Sequence, residues 1–186
     1  LAKMEALKME KKNKSNVKAE YCKTLTKADL HELCDATEDG ILAGGGFGWL
    51  LPPSFKTLEN YWRGVLLIPE RILIIGRLDS VVAGCVQLIK PSRNNEAQSH
   101  SCTLSTFFFA SWARGYGLAK AVFEKAEQKA KEEGFKVINL EVRETQRRAI
   151  QLYEQAGFIR CGTNPKSAYV KGKYIAGHYY YKEIVK

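Results

Sequence analysis

At 186 residues, with 45% hydrophobic and 11% aromatic residues, the chain is long enough for one domain with a real core and too apolar to be a disordered segment. Its net charge of +9 suits an anionic ligand, nucleic acid or an anionic surface, but no nucleic-acid-binding motif accompanies it, so nucleic acid is not an expected partner. Cys22, Cys34, Cys85, Cys102 and Cys161 are widely spaced without a CxxC pair, and His31, His100 and His178 are scattered, which argues against a disulfide framework and a metal site and for a reducing, cytoplasmic setting.

The first residues carry Lys3, Lys8, Lys11, Lys12, Lys14 and Lys18 against only Glu5 and Glu10. Residues 1–16 are expected to be a basic tail with no assigned function, and residues 17–186 a single domain. No apolar h-region is visible, so no signal peptide is expected, and a first residue of Leu rather than Met points to processing or a trimmed start. Val17 to Leu25 reads as a first strand. Thr26 is a good N-cap for a helix through Leu30, Leu33 and Cys34 that ends near Gly40.

The run Gly44 to Pro53 (GGGFGWLLPP) lacks the Gly-Lys-Ser/Thr ending of a nucleotide-binding P-loop. Its glycines give mobility, and Phe47 and Trp49 either fill the core or offer contacts to a ligand. Phe55 to Leu66 looks like a second helix. The apolar run from Val65 to Ile75 is interrupted by Pro69, Glu70 and Arg71 and is too short to span a bilayer, so no membrane is expected. Ile72 to Leu78 and Val81 to Ile89 form a hairpin about Asp79-Ser80, and Ser99 to Phe109 is the next strand.

The pattern then changes at Arg114-Gly115-Tyr116-Gly117. Leu118, Val122, Ala126 and Ala130 recur at helical spacing, and Gly134 stops the helix. The first N–H groups of a helix have no partner inside it and carry partial positive charge. A glycine turn at that point lets a phosphate approach the backbone, with Arg114 as a cation beside it; the alternative is an ordinary strand-to-helix turn. Val137 to Val142 then alternates as a strand, Gln146 to Ala156 is a helix ended by Gly157, and Phe158 to Gly162 and His178 to Ile184 are the last strands. Thr163 to Gly177 between them is expected to be a loop.

Arg114-Gly115-Tyr116-Gly117-Leu118-Ala119 fits the pattern Arg/Gln-x-x-Gly-x-Gly/Ala, and Ala149-Ile150-Gln151-Leu152-Tyr153-Glu154 followed by Gly157-Phe158 comes after it at a fitting distance. Together the two segments resemble the signatures of the GNAT superfamily, the acetyl-CoA-dependent N-acetyltransferases, from about Arg71 to the C-terminus. The resemblance implies an α/β (α+β) fold: a mixed, mostly antiparallel central sheet with helices on both faces, whose parallel strands splay at the cofactor site. It implies acetyl-CoA as acyl donor and an amine acceptor, either a small molecule or a protein amine, attacked directly in a ternary complex. A non-catalytic acyl-CoA-binding sensor is the alternative, and a homodimer stays open.

By the same resemblance, residues Arg114 through Ala119 hold the pyrophosphate, the backbone of Phe107, Phe108 and Phe109 runs beside the pantetheine arm, and Tyr153 protonates the leaving thiolate or packs in the core. Trp49 and Phe47 border the acceptor. The sequence departs from the family in having Gln146 where many members carry Asn, the longer amide being expected to reach the cofactor in its place, and in having no carboxylate on the central strand. The base is therefore Glu141, His100 or a water relay. Asp35, Glu38 and Asp39 either attract a cationic amine or solvate a helix end.

Overall fold

The computed structural model describes residues 15–45 and 47–184; most of the expected basic tail lies outside them. Seven strands form one sheet in the order β1-β2-β3-β4-β5-β7-β6. They are β1 (Val17–Cys22), β2 (Arg71–Leu78), β3 (Val81–Ile89), β4 (Ser101–Phe109), β5 (Val137–Arg143), β6 (Ile159–Val170) and β7 (Lys173–Glu183). The helices are α1 (Lys27–Leu42), α2 (Phe55–Leu67), α3 (Leu118–Glu132) and α4 (Arg147–Gln155). Every strand pair is antiparallel except β4 with β5, because the α3 crossover returns the chain to its starting edge.

Two cores lie on opposite faces of the sheet. Ile72 and Ile74 pack with Leu118, Val122, Phe123 and Tyr153 on the α3 and α4 face. Leu73 and Ile75 pack with Leu33, Leu58 and Trp62 on the α1 and α2 face. Period-two alternation with both faces covered explains why β2 and β3 read as nearly continuous apolar runs. Helix α1 starts on the expected Thr26 cap, where the Asp29 N–H donates to Thr26 Oγ1 at 3.0 Å and the Thr26 N–H donates back to the Asp29 carboxylate. Arg77 ties this end to β1 through Glu20 and Asp29, both at 2.7 Å, and its hydrogen bond holds the Asp29 carboxyl below the usual carboxylate range. Trp62 is fully buried and donates its indole N–H to Thr37 Oγ1 at 3.0 Å, so its one polar atom is satisfied.

β4 changes parity midway. Cys102 and Leu104 point to the α3 face, and strict alternation would send Phe108 the same way. Instead Phe108 lies in the α1 and α2 core. The cause is a bulge: Gln87 faces Ser105 while Cys85 faces Phe108, and Thr106 adopts φ 53°. One extra residue on β4 flips the faces beyond it. β4 pairs with β5 only from Ser101 to Leu104, so the two strands part where the bulge begins.

Gly84 makes this geometry possible from the β3 side. Its φ is 158°, and a Cβ there would come within 2.2 Å of the Phe108 carbonyl oxygen. Backbone cannot yield as a side-chain tip does, so Gly84→Ala is expected to destabilise the fold by about 1–3 kcal/mol. Denaturant unfolding checks this; an unchanged midpoint would show that β3 and β4 are not held this closely.

One expected element is corrected. Thr163 to Gly177 is not a loop: β6 runs to Val170, Lys171 and Gly172 make a tight turn, and β7 begins at Lys173. Most of β6 is exposed, so the alternation of a half-buried strand is missing, and irregularities at Arg160/Gly162 and Asn164/Ala168 accommodate Pro165 and break the pattern further. The hairpin end is held by Tyr169 against Tyr174, ring centroids 5.1 Å apart.

Candidate active site

The parting of β4 and β5 opens a groove of about 1180 Å³ between the β4–α3 turn, the start of α4, the α1–α2 connection and the β6–β7 hairpin tip. Its floor is the β5-facing edge of β4. The Ala110 N–H donates to the Ala83 carbonyl at 2.8 Å and the Phe108 carbonyl also lies against β3. Because a strand residue sends its N–H and C=O the same way and the next residue the opposite way, Phe107 and Phe109 present theirs to the groove. With no β5 partner after Leu104, these groups form an open ladder that an extended ligand can complete as an added strand.

At one end of the groove stands the α3 N-terminus. Gly117 is its N-cap in the left-handed region (φ 82°), with no side chain capping the helix. Gly115 has φ 84°, and neither glycine has a neighbour within 4 Å of where a Cβ would sit. The turn is therefore open to a ligand, and glycine there answers to backbone conformation rather than crowding. Arg114, Gly115, Gly117, Leu118 and Ala119 line the groove. Tyr116 does not; its ring packs against the α3-face core.

Tyr153 projects inward from α4 and is 4% exposed, with Phe107, Phe123 and Phe158 around it at centroid distances of 5.7, 6.4 and 5.7 Å. Burial pushes its phenol well above the ordinary tyrosine value. No described side chain donates to it or accepts from it, and among the described residues no buried side-chain oxygen is left without a partner. Tyr153 does not itself line the groove; its ring neighbour Phe107 does.

Gln146 lines the groove, and its side-chain N–H donates to the Gly44 carbonyl at 2.6 Å. Arg143 donates to the Phe47 carbonyl at 2.7 Å. These two bonds tie the glycine-rich connection to the end of β5 and the start of α4, a clamp that spacing along the chain did not reveal. Phe47 itself is buried against Phe108, centroids 4.7 Å apart, whereas Trp49 lines the groove with its ring edge-on to Tyr61.

The expected bases stand elsewhere. His100 precedes β4 at the closed end of the splay, where its carbonyl accepts from Lys136. Glu141 is off the groove wall and accepts a hydrogen bond from the Ser167 hydroxyl. Asp39 takes both the N–H (2.6 Å) and the hydroxyl (2.8 Å) of Ser111, and Asp35 pairs with His31. Among the described residues no cluster of His, Cys, Asp and Glu suits a metal ion, and no helix is long and apolar enough to cross a membrane.

The groove residues that sequence reading missed include Arg143, Arg147 and Arg148, and Val170, Lys171 and Ile175 at the hairpin tip. The Lys-Gly turn of the hairpin was the available signal.

The profile of the Acetyltransferase (GNAT) family matches residues 31–158. An uncharacterized N-acetyltransferase of the hisH–hisA intergenic region of Azospirillum brasilense is 56% identical over 134 residues, 72% of this chain and 80% of the relative. The N-acetyltransferase of Staphylococcus aureus Mu50 superposes with a TM-score of 0.78 at 16% identity, covering 91% of this chain and 99% of that one. The Salmonella typhimurium protein yncA, solved with its cofactor acetyl-CoA, does so at 0.75 and 13% identity, covering 91% and 95%.

Proposed function

The chain belongs to the GNAT family of acetyltransferases, and from that premise we propose that it transfers the acetyl group of acetyl-CoA to an amine by direct attack within a ternary complex. The observation that carries this reading is the open β4 edge at Phe107 and Phe109 meeting the uncapped, glycine-opened α3 N-terminus in one groove. Acetyl-CoA supplies the thioester. The backbone around Gly115 and Gly117 takes its pyrophosphate at the positive end of α3, and Arg114 adds a charge-assisted contact. Phe107 and Phe109 hydrogen-bond the pantetheine arm and leave one N–H for the oxygen on which charge develops.

In the transfer itself the amine nitrogen forms a C–N bond as the C–S bond breaks. Overall, one proton leaves the nitrogen and one reaches the sulfur. Tyr153 donates to the departing sulfur; its apolar surroundings disfavour a lasting phenolate, so the proton shed by the nitrogen restores it. No carboxylate lines the groove, and the deprotonation is assigned to water. Positioning the two reactants is the main contribution of the protein. The five cysteines are free, which supports a reducing, cytoplasmic setting.

Direct attack leaves no acetylated protein. Incubation with acetyl-CoA alone is expected to leave the intact mass unchanged, and varying both reactants should give intersecting rather than parallel double-reciprocal lines in a thiol-release assay. A stable acetyl adduct with parallel lines would replace this mechanism by a covalent one.

A further inference from the structure

The groove has a one-sided charge. Arg114, Arg143, Arg147, Arg148 and Lys171 line it, and no aspartate or glutamate does. None of the five has an ion pair among the described residues; Arg77, Lys90, Lys129, Lys131 and Lys182 are paired elsewhere, while Arg63, Arg93 and Arg160 outside the groove have no ion pair either, so the one-sided lining is what distinguishes it. Three carboxylates of the surrounding elements are engaged: Asp39 by Ser111, Glu141 by Ser167 and Glu144 by the Ala176 N–H at 3.0 Å.

The cations divide by sheet face. Arg114 belongs to the anion turn before α3, and Arg147 and Arg148 start α4; both helices cover the same face. Arg143 lies on the other. Ile138, Leu140 and Val142 point into the α3-face core, so Arg143 alternates away from it and reaches the α1–α2 connection at Phe47. The hairpin that carries Lys171 is tied to this second face through Ser167 and Glu141. Trp49, Leu51, Val170 and Ile175 supply apolar wall in the same groove.

Building on the acetyltransferase reading above, we propose that the acceptor is a small amine that also bears a carboxylate or comparable anion, with Arg143 and Lys171 binding the anion and Trp49, Leu51, Val170 and Ile175 receiving an apolar side chain. An α-amino acid is the simplest instance. A guanidinium with four unused N–H donors matches a carboxylate in its fork geometry, and Lys171 adds a mobile point charge. The same field selects the reactive protonation state: two nearby cations disfavour an ammonium ion, so the bound amine is neutral more of the time. That supplies the nucleophile in a groove without a basic carboxylate. Polyamines meet only repulsion there.

Thiol release from acetyl-CoA, compared across leucine, leucinamide and spermidine and extended to other apolar amino acids with their amides, tests the proposal. Removing the carboxylate lowers the basicity of the amine and raises its neutral fraction, so intrinsic reactivity favours the amide. A preference for the acid must therefore come from the site. The acids are expected to exceed their amides in kcat/KM by about tenfold or more, with spermidine inert. Arg143→Gln and, at the exposed hairpin turn, Lys171→Gln should each raise KM for the acid by about 10- to 100-fold, leaving the acetyl-CoA Kd unchanged. Amides or spermidine used as well as acids, turnover of none of the acids despite acetyl-CoA binding, or a weakened acetyl-CoA Kd in both variants with the acceptor KM intact, would overturn it. Loss of acetyl-CoA binding by the unaltered protein would instead overturn the acetyltransferase reading on which it stands.

Discussion

Replacing Gly117 with aspartate is expected to weaken acetyl-CoA binding by on the order of 100-fold, with the fold intact. Gly117 is the N-cap of α3, and no side chain occupies its place. A carboxylate there would bind the unpartnered N–H groups of the first turn and fill the anion site from within the chain. A pyrophosphate would then lose those donors and meet a like charge, a loss comparable to one or two charge-assisted hydrogen bonds. The new side chain has open space around it, so steric collapse is not the cause. A non-glycine residue at φ 82° costs about 1 kcal/mol, and Gly117→Ala has the same backbone cost without the charge. Calorimetric titration should therefore show a large loss for aspartate and a small one for alanine. Equal losses in the two variants would assign the effect to backbone geometry, and no loss in either would move the pyrophosphate elsewhere.

Tyr153→Phe is expected to lower kcat by about 10²-fold, with acetyl-CoA affinity and Tm little changed. The ring is enclosed by Phe107, Phe123 and Phe158, and phenylalanine preserves that packing. The hydroxyl has no described protein partner, so its removal breaks no hydrogen bond of the fold. The burial that raises the phenol pKa keeps it protonated at neutral pH, which is the state a donor to sulfur requires. The measurement is pre-steady-state thiol release with an accepted amine, where chemistry can be separated from product release. A burst as fast as that of the unaltered protein would leave Tyr153 as a core residue and assign the sulfur's proton to water.

Sequence periodicity carried much of this protein because it reports local geometry. The 3.6-residue spacing from Leu118 to Ala130, the glycines at 115 and 117 and the stop at Gly134 place α3 and its open N-terminus without reference to any other element. The hairpin of β2 and β3, the Thr26 cap and the crossover that makes β4 and β5 parallel follow from the same local rules, and with them the fold class. The order of the two motif segments pointed to the family.

Pairing across the sheet decided the rest. Phe107-Phe108-Phe109 reads as plain alternation, yet the bulge at Thr106 sends Phe108 to one core and turns the backbone of its neighbours toward the groove; a one-residue shift of register leaves no trace in composition. The hairpin end of β6 and β7, from Thr163 to Gly177, was hidden because an exposed stretch with Pro165 lacks a hydrophobic face. The convergence of Trp49, Arg143, Gln146 and Lys171 joins residues from four separate elements. Gln146 is 102 positions from the Gly44 carbonyl it binds, and Arg143 is 96 from that of Phe47. Spacing fixes neighbours three or four residues apart on a helix and two apart on a strand; which distant side chains share a cavity depends on how the layers stack, and that is where the lining of this groove was set.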